Sequence, residues 1–127
     1  MSFEYVIDTY AWIEYFKGSK QGKIALQYIE RGNSITSAVT IAELAYKYQR
    51  EKKSFNEDYH FILSISKIQD VTNEIARMAG ELNAENKEKI HNWGMADSII
   101  LATAKRFNVK VVTGDSHFRS LNSIMIA

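Results

Sequence analysis

Short apolar runs alternate along the chain with longer amphipathic segments. Strands are predicted where β-branched and aromatic residues concentrate, and residues 109–113 are the clearest case. Helices are predicted where apolar residues recur three and four positions apart, as in residues 95–107. The predicted strands are 3–7, 34–36, 68–71, 109–113 and an edge strand at 124–126.

Capping and turn residues set the helix bounds. Gly18 and Gly32 follow the first two helical segments and are typical helix stops. Ser54 and Glu57 have capping-box spacing and predict the start of the fourth helix. Residues 86–93 are polar and are predicted to form a loop. The predicted helices are 9–16, 21–31, 41–53, 54–66, 74–86 and 95–107.

The alternation of strands and helices predicts an α/β fold, with a parallel sheet covered by helices on both faces. The chain has 127 residues, the usual size of one domain, so we expect a single domain over 1–127. In such folds the functional site lies at the carboxyl ends of the strands. The chemistry is therefore to be sought there.

Composition narrows the possible metals, compartments and partners. The chain has no Cys, which excludes disulfides and zinc sites built from Cys. The N-terminus lacks a basic region followed by an apolar one, and no apolar run approaches the roughly 20 residues that span a bilayer. We therefore expect a cytoplasmic protein with no membrane association. A net charge of +1 excludes a strongly cationic nucleic-acid-binding coat.

Two aspartates follow predicted strands directly. Asp8 comes after Tyr5-Val-Ile7, and Asp115 comes two residues after Thr113. If the sheet is parallel, both carboxylates lie at the same edge. Each of them is equally well placed to cap the element that follows, so capping alone remains an alternative.

Asp97 lies near the start of the helix predicted at 95–107. Ile100, Leu101 and Ala104 follow it at three, four and seven positions, so Asp97 shares the apolar face. A carboxylate on a buried face is costly unless it is paired, protonated or bound to a cation. Favourable placement at a helix N-terminus is the structural alternative. We favour a functional role.

Glu43 has a strong structural explanation. Thr40 and Glu43 have capping-box spacing, and Glu43 lies off the apolar stripe of Ile41 and Leu44. Spacing alone therefore predicts a structural cap at Glu43.

Four carboxylates that meet at one sheet edge would raise each other's pKa values unless a cation neutralised them. A site of oxygen ligands suits Mg²⁺ or Mn²⁺, which can activate water for attack on a phosphodiester. If four acids are set aside for such a pocket, eleven acids remain against sixteen bases, and the rest of the chain carries +5. A moderately basic rim around an acidic centre is then compatible with the near-neutral total.

Four segments resemble PIN-domain ribonucleases, and VapC-type toxins of toxin–antitoxin pairs in particular. They occur in the family's order and extend over essentially the whole chain. They are YVIDTYAWIEYF (5–16), SAVTIAEL (37–44), MADSIILA (95–102) and VVTGDSHF (111–118).

The resemblance implies a three-layer α/β/α fold with a central parallel sheet, and Mg²⁺- or Mn²⁺-dependent cleavage of RNA. It also implies frequent homodimers and inhibition by a small antitoxin protein. Asp8, Glu43, Asp97 and Asp115 match the acidic quartet, as metal ligands and catalytic residues. The match favours a catalytic role for Glu43 over the cap, although one residue can serve both.

The sequence departs from the family pattern at three positions. Tyr10 stands where a small residue is common, Gly114 where a basic residue is common, and His117 where a second Asp is common. His117 lies close to Asp115 in sequence and could face the site, but a surface position is the default expectation. The default for Thr113 is an ordinary strand residue.

Other functions remain as alternatives. One is a PIN-type module without activity that binds RNA or protein. A haloacid-dehalogenase-like phosphatase is less favoured, because that chemistry needs an Asp where Tyr10 stands. RNA also needs basic contacts near the acids, and we predict Arg50 and Arg119 as phosphate-binding residues.

Overall fold

The computed structural model describes residues 2–127, in which five strands alternate with six α-helices. The strands are β1 (Tyr5–Ile7), β2 (Ser34–Ser37), β3 (Ser66–Gln69), β4 (Lys110–Thr113) and β5 (Ser123–Met125). The helices are α1 (Thr9–Lys17), α2 (Lys20–Ile29), α3 (Ala38–Arg50), α4 (Asn56–Ile65), α5 (Asn73–Lys89) and α6 (Met95–Phe107). A short 3₁₀ helix, Ser116–Phe118, joins β4 to β5.

The sheet has the strand order β3-β2-β1-β4-β5, and every neighbouring pair is parallel. The predicted fold class is therefore confirmed, including the three layers. Parallel pairing requires a crossover between successive strands; pairs of α-helices form the first three, and the 3₁₀ helix lies in the fourth. β1 lies at the centre, and its carboxyl end adjoins that of β4.

Each face of the sheet has its own core. Successive residues of a strand point to opposite faces, so Ile7 and Val112 pack with Trp12, whereas Val6 and Val111 pack with Trp93. Each Trp is fully buried and donates from Nε1 to a hydroxyl oxygen, Trp12 to Thr36 at 3.0 Å and Trp93 to Ser98 at 2.7 Å. The two cores therefore hold the sheet from both sides.

Several predicted helix bounds were wrong, by up to three residues, and α3 is shifted by three residues at both ends. α3 begins at Ala38, because Ser37 caps it and accepts a hydrogen bond from the Val39 amide. α4 lacks the predicted capping box; its N-cap is Phe55, and the Ser54 hydroxyl accepts from the Asn56 amide instead. α5 continues to Lys89 through residues predicted as loop, and its last turn carries basic residues that suit a helix C-terminus.

β3 lies two residues earlier than predicted. α4 ends at Ile65, and Ser66 then pairs in register with Ser34. The Ser66 hydroxyl is buried and makes hydrogen bonds with the hydroxyls of Ser34 and Thr36. Polar side chains that satisfy one another across two strands carry no apolar signal, which explains the misplaced bound.

No helix in residues 2–127 combines the length and the apolar character that crossing a bilayer requires.

Candidate active site

Asp8 and Asp115 lie at the same edge of the sheet, as predicted from their positions after strands. The Asp8 amide donates to the Val112 carbonyl at 3.2 Å, which ties the end of β1 to β4. Asp8 also caps α1, since its Oδ1 accepts from the Ala11 amide at 2.8 Å. Asp115 caps the 3₁₀ helix in the same way, through the His117 amide at 2.9 Å. Each of the two aspartates therefore caps the element that follows it and also lies at the shared sheet edge.

Asp8 is the most deeply buried of the four acids, with 3% of its surface exposed. Burial raises the pKa of its carboxyl to about 7, and the negative charges of Asp115 and Asp97 add to that rise. Hydrogen bonds from the Thr113 hydroxyl and the Ala11 amide oppose it. Asp8 is thus a carboxyl that a nearby cation would ionise fully at neutral pH.

Thr113 has more than an ordinary strand role, contrary to the default expectation. Its fully buried hydroxyl contacts Asp8 and accepts a hydrogen bond from the Asp115 amide at 2.9 Å. One side chain therefore couples the two strand-end aspartates.

Glu43 is not the predicted helix cap. α3 begins five residues before Glu43, and Thr40 is buried inside the helix. Glu43 instead reaches across to α1, where Oε1 accepts a hydrogen bond from the Thr9 hydroxyl at 2.5 Å. Burial raises the pKa of Glu43, the Thr9 hydrogen bond opposes the rise, and the charges of Asp97 and Asp115 add to it. The sequence signal for Thr9 was only its place beside Asp8.

Asp97 lies in the first turn of α6, as predicted. Its Oδ2 accepts a hydrogen bond from the Gly94 amide at 3.0 Å, which caps the helix, and 20% of its side chain is exposed. Burial raises its pKa, the Gly94 amide lowers it, and the charge of Asp115 raises it further. The predicted face is confirmed, because Ile100, Leu101 and Ala104 are buried.

His117 joins this cluster, contrary to the default expectation of a surface position. Its Nδ1 lies 3.4 Å from Asp97 Oδ2 and 3.5 Å from Asp115 Oδ1. One ligand atom from each of these three residues can be chosen so that all lie within 4.8 Å of one another. The available signal was its place two residues after Asp115, in a turn that brings the ring back towards the strand end.

The structure thus gathers the four predicted acids from four separate parts of the chain. The negative charges of Asp97 and Asp115 raise the pKa values of both Asp8 and Glu43, so the four carboxyls lie near one another. Burial is the main cause of the raised pKa values of Asp8, Glu43 and Asp97, and neighbouring carboxylates add to it, whereas His117 lowers the pKa of Asp97. Carboxylate oxygens are the protein ligands that Mg²⁺ and Mn²⁺ prefer, so the four acids fit either ion.

Two departures from the family pattern fit each other. A Cβ atom placed on Gly114 would lie 2.2 Å from Cε1 of Tyr10. The Tyr10 ring therefore packs directly on the Gly114 backbone. Tyr10 follows Asp8 by two residues, and Gly114 directly precedes Asp115. A large residue at one position requires the smallest residue at the other.

The two predicted phosphate-binding residues, Arg119 and Arg50, lie on different elements. Arg119 lines a cavity of about 430 Å³ together with His117, Lys89 and His91. Arg50 lies seven residues after Glu43, two turns along the same face of α3. Its guanidinium carbon is 5.3 Å from the ring centre of the exposed Tyr46.

A family model for the PIN domain matches residues 5–123. The chain therefore belongs to the PIN domain family, and the resemblance stated from the sequence is confirmed. A comparison with curated proteins finds no match.

Solved structures with a similar fold include several toxin–antitoxin proteins. A toxin–antitoxin complex from Klebsiella pneumoniae has 22% identity and a TM-score of 0.78, over 98% of both chains. VapBC2 from Rickettsia felis, bound to a DNA fragment from its promoter, has 25% identity and a TM-score of 0.74, over 97% of both chains. The Mycobacterium tuberculosis toxin VapC20, which cleaves the sarcin–ricin loop, has 15% identity and a TM-score of 0.75, over 95% of this chain and 97% of that one.

Proposed function

We propose that this protein is a ribonuclease that hydrolyses RNA phosphodiester bonds with Mg²⁺ or Mn²⁺, and that it is the toxin of a type II toxin–antitoxin pair. The observation that carries the proposal is the convergence of Asp8, Glu43, Asp97 and Asp115 at one sheet edge of a PIN domain. We also infer that residues 1–127 form one such domain.

Within this proposal, Asp8, Asp97 and Asp115 hold the cation. When bound, the metal ion supplies neutralisation of the phosphate charge and activation of a water molecule. Thr113 and the Ala11 amide fix the Asp8 carboxylate, and the Gly94 amide fixes that of Asp97.

Glu43 orients the attacking water and accepts its proton. The Thr9 hydroxyl holds Oε1 in place, and the raised pKa makes this carboxylate a better proton acceptor than an exposed Glu. Arg119, beside His117, and Arg50, along α3, bind backbone phosphates of the RNA.

Asp8→Asn tests the activity. Asn keeps the oxygen that caps α1, so the variant should fold, but it loses a charged metal ligand. We expect cleavage of an RNA substrate to fall by at least about a hundredfold. Asp70→Asn, an exposed aspartate distant in sequence from the cluster, is the matched control and should keep full activity.

Mn²⁺ binding distinguishes the enzyme from an inactive binding module. Isothermal titration of the metal-free protein should show Mn²⁺ binding that Asp8→Asn weakens. Undiminished cleavage by a pure preparation of Asp8→Asn would refute the assignment, and RNA binding with no Mn²⁺ binding would favour the inactive module.

The toxin role implies a small antitoxin, and several of the similar structures are complexes of this kind. A groove of about 500 Å³ lies between α1, α3 and α4, with Ile13, Phe16 and Tyr48 among its lining residues. Ile13 and Lys47 follow Thr9 and Glu43 by one helical turn, so the groove continues from the cluster. Lys17, Lys47 and Lys53 also line this groove, and Glu51 and Asp58 lie among them. We propose that an amphipathic antitoxin segment docks there, with acidic groups beside the lysines.

The adjacent reading frame supplies the probe for this partner. Co-expression of a small DNA-binding protein encoded there should relieve growth inhibition by the nuclease. Lys17 and Lys53 keep 60% and 68% of their side chains exposed on the groove rim. Reversing both to Glu should weaken the complex about tenfold or more, whereas the same reversal at Lys105 should not. Equal effects would place the partner elsewhere.

The family resemblance further implies a homodimer that acts in the cytoplasm, where its RNA substrate lies. Sedimentation at micromolar concentration should show the dimer, and a monomer under all conditions would contradict it.

A further inference from the structure

We propose that His117 is a metal ligand of this centre, through Nδ1, and that its imidazole shifts the site's preference from Mg²⁺ towards first-row transition-metal ions. The inference rests on the proposed function, because it assumes that the carboxylates hold a divalent cation. It assigns a role to a residue that lies outside the acidic quartet.

The position of Nδ1 is the first argument. This atom lies 3.4 Å from Asp97 Oδ2 and 3.5 Å from Asp115 Oδ1, so it faces both carboxylates rather than solvent. Ligand atoms of one metal ion lie about 3 Å apart when each is about 2.1 Å from the ion. The three donors therefore need only small shifts to share one cation.

The second argument is that the His117 ring is held in place. The His117 amide donates to Asp115 Oδ1 at 2.9 Å, which fixes the backbone of the turn. Its ring centre lies 6.4 Å from that of Trp93, which is 1% exposed and is anchored through Nε1 to Ser98. Phe118, the next residue, is buried against Trp93. The core beneath the sheet thus positions this histidine.

The third argument is chemical. His117 brings a nitrogen donor to a group whose other donors are carboxylate oxygens. Mg²⁺ takes oxygen ligands almost exclusively, whereas imidazole suits the transition metals. A site with His117 in the inner sphere should therefore bind Co²⁺ better, relative to Mg²⁺, than a site of carboxylates alone.

The experiment uses the full chain, freed of metal and loaded with Mn²⁺. Pulsed electron paramagnetic resonance should detect a directly bound ¹⁴N nucleus in the native protein. His117→Ala should abolish that coupling. His91→Ala is the matched control, since His91 lines the same cavity, and it should leave the coupling unchanged.

A second measurement does not depend on the alanine variant's fold. His117→Asp exchanges the nitrogen donor for a carboxylate oxygen, and the ratio of Co²⁺ to Mg²⁺ affinity should fall by about tenfold or more relative to the native protein. An unchanged ratio would overturn the proposal.

The outcomes separate this inference from the proposed function. If Mn²⁺ binds and Asp8→Asn loses cleavage, yet no ¹⁴N coupling is seen, His117 is not a ligand and the nuclease assignment stands. In that case its Nδ1 only makes a hydrogen bond to a carboxylate. If Mn²⁺ does not bind and RNA is not cleaved, the proposed function fails, and the inference fails with it.

Discussion

The two halves of the carboxylate cluster are held by different kinds of partner. Asp8 and Glu43 accept hydrogen bonds from uncharged donors, the Ala11 amide and the hydroxyls of Thr113 and Thr9. Asp97 and Asp115 face the imidazole of His117 and keep 20% and 33% of their side chains exposed. Asp8 is therefore the most buried carboxyl, whereas Asp97 and Asp115 add the imidazole of His117 to the backbone amides that they accept from. Measurements of the free energy of unfolding, of Mn²⁺ affinity and of packing energy in designed variants test this difference.

The largest expected effect concerns stability without metal. Folding raises the pKa of Asp8, so the protonated carboxyl stabilises the folded state. This stabilisation is complete below about pH 4, the pKa of Asp in the unfolded chain. It is lost as the pH rises through about 7. Asn does not ionise, and Asp8→Asn should therefore increase the free energy of unfolding by on the order of 2–4 kcal/mol at pH 7–8.

Urea unfolding across pH 4–8 measures this effect, and the gain should shrink towards zero at pH 4. Asp97→Asn is the comparison from the other half and should gain less, because Asp97 is more exposed. Added Mn²⁺ should make the unsubstituted protein more stable than Asp8→Asn, because only the unsubstituted protein keeps the full set of metal ligands. Equal gains from both variants would contradict the distinction between the halves.

Thr113→Val gives the next effect. It removes the hydroxyl that contacts Asp8 and that accepts from the Asp115 amide, in a fully buried position. We expect a loss of about 1–3 kcal/mol in the free energy of unfolding, and Mn²⁺ binding shifted to higher pH because Asp8 loses a donor.

Thr103→Val is the matched control for Thr113→Val. Thr103 is equally buried, but its hydroxyl donates only to the Ile99 carbonyl of its own helix. It should lose less stability and leave the pH dependence of Mn²⁺ binding unchanged. A shift of the same size in both variants would exclude a special role for Thr113.

Ser98→Ala and Thr36→Val compare the two cores beneath the cluster. Each leaves a buried Trp Nε1 without its acceptor, and each should cost about 1–2 kcal/mol. Only Ser98→Ala should also weaken Mn²⁺ binding, by about tenfold, because Ser98 follows Asp97 and its Trp93 partner packs beside His117. Titration calorimetry decides, and equal metal affinity in both variants would contradict the prediction.

Gly114→Ala gives the smallest effect. The added Cβ would collide with the Tyr10 ring, which is only half-buried and can turn aside, so we expect a loss of about 0.5–1 kcal/mol. The same change in a Tyr10→Ser background should cost almost nothing. A double-mutant cycle with no coupling between the two positions would show that the ring does not rest on Gly114.

The sequence pattern predicted the parallel sheet and the positions of three of the four clustered acids. Strands that alternate with helices predicted the parallel sheet, and the position after a strand placed Asp8 and Asp115 at one edge. The apolar face of α6 placed Asp97 correctly. These signals succeeded because they depend on backbone period and on burial, which are local properties of the chain.

Other features lay beyond sequence patterns, because they depend on contacts between distant segments. Spacing made Glu43 a cap of its own helix, but its partner is Thr9 of α1, 34 residues away. Thr113 looked like any strand residue until its hydroxyl was found to link Asp8 and Asp115.

The sequence by itself therefore determined the layers of the fold, the absence of Cys ligands, and which acids follow strands. The tertiary structure alone decided that Tyr10 rests on Gly114, that Glu43 turns to Thr9, and that His117 faces Asp97 and Asp115. The physical reason is that periodicity records which side of an element is buried. The neighbour that a polar side chain meets there is set by strand order and helix crossing.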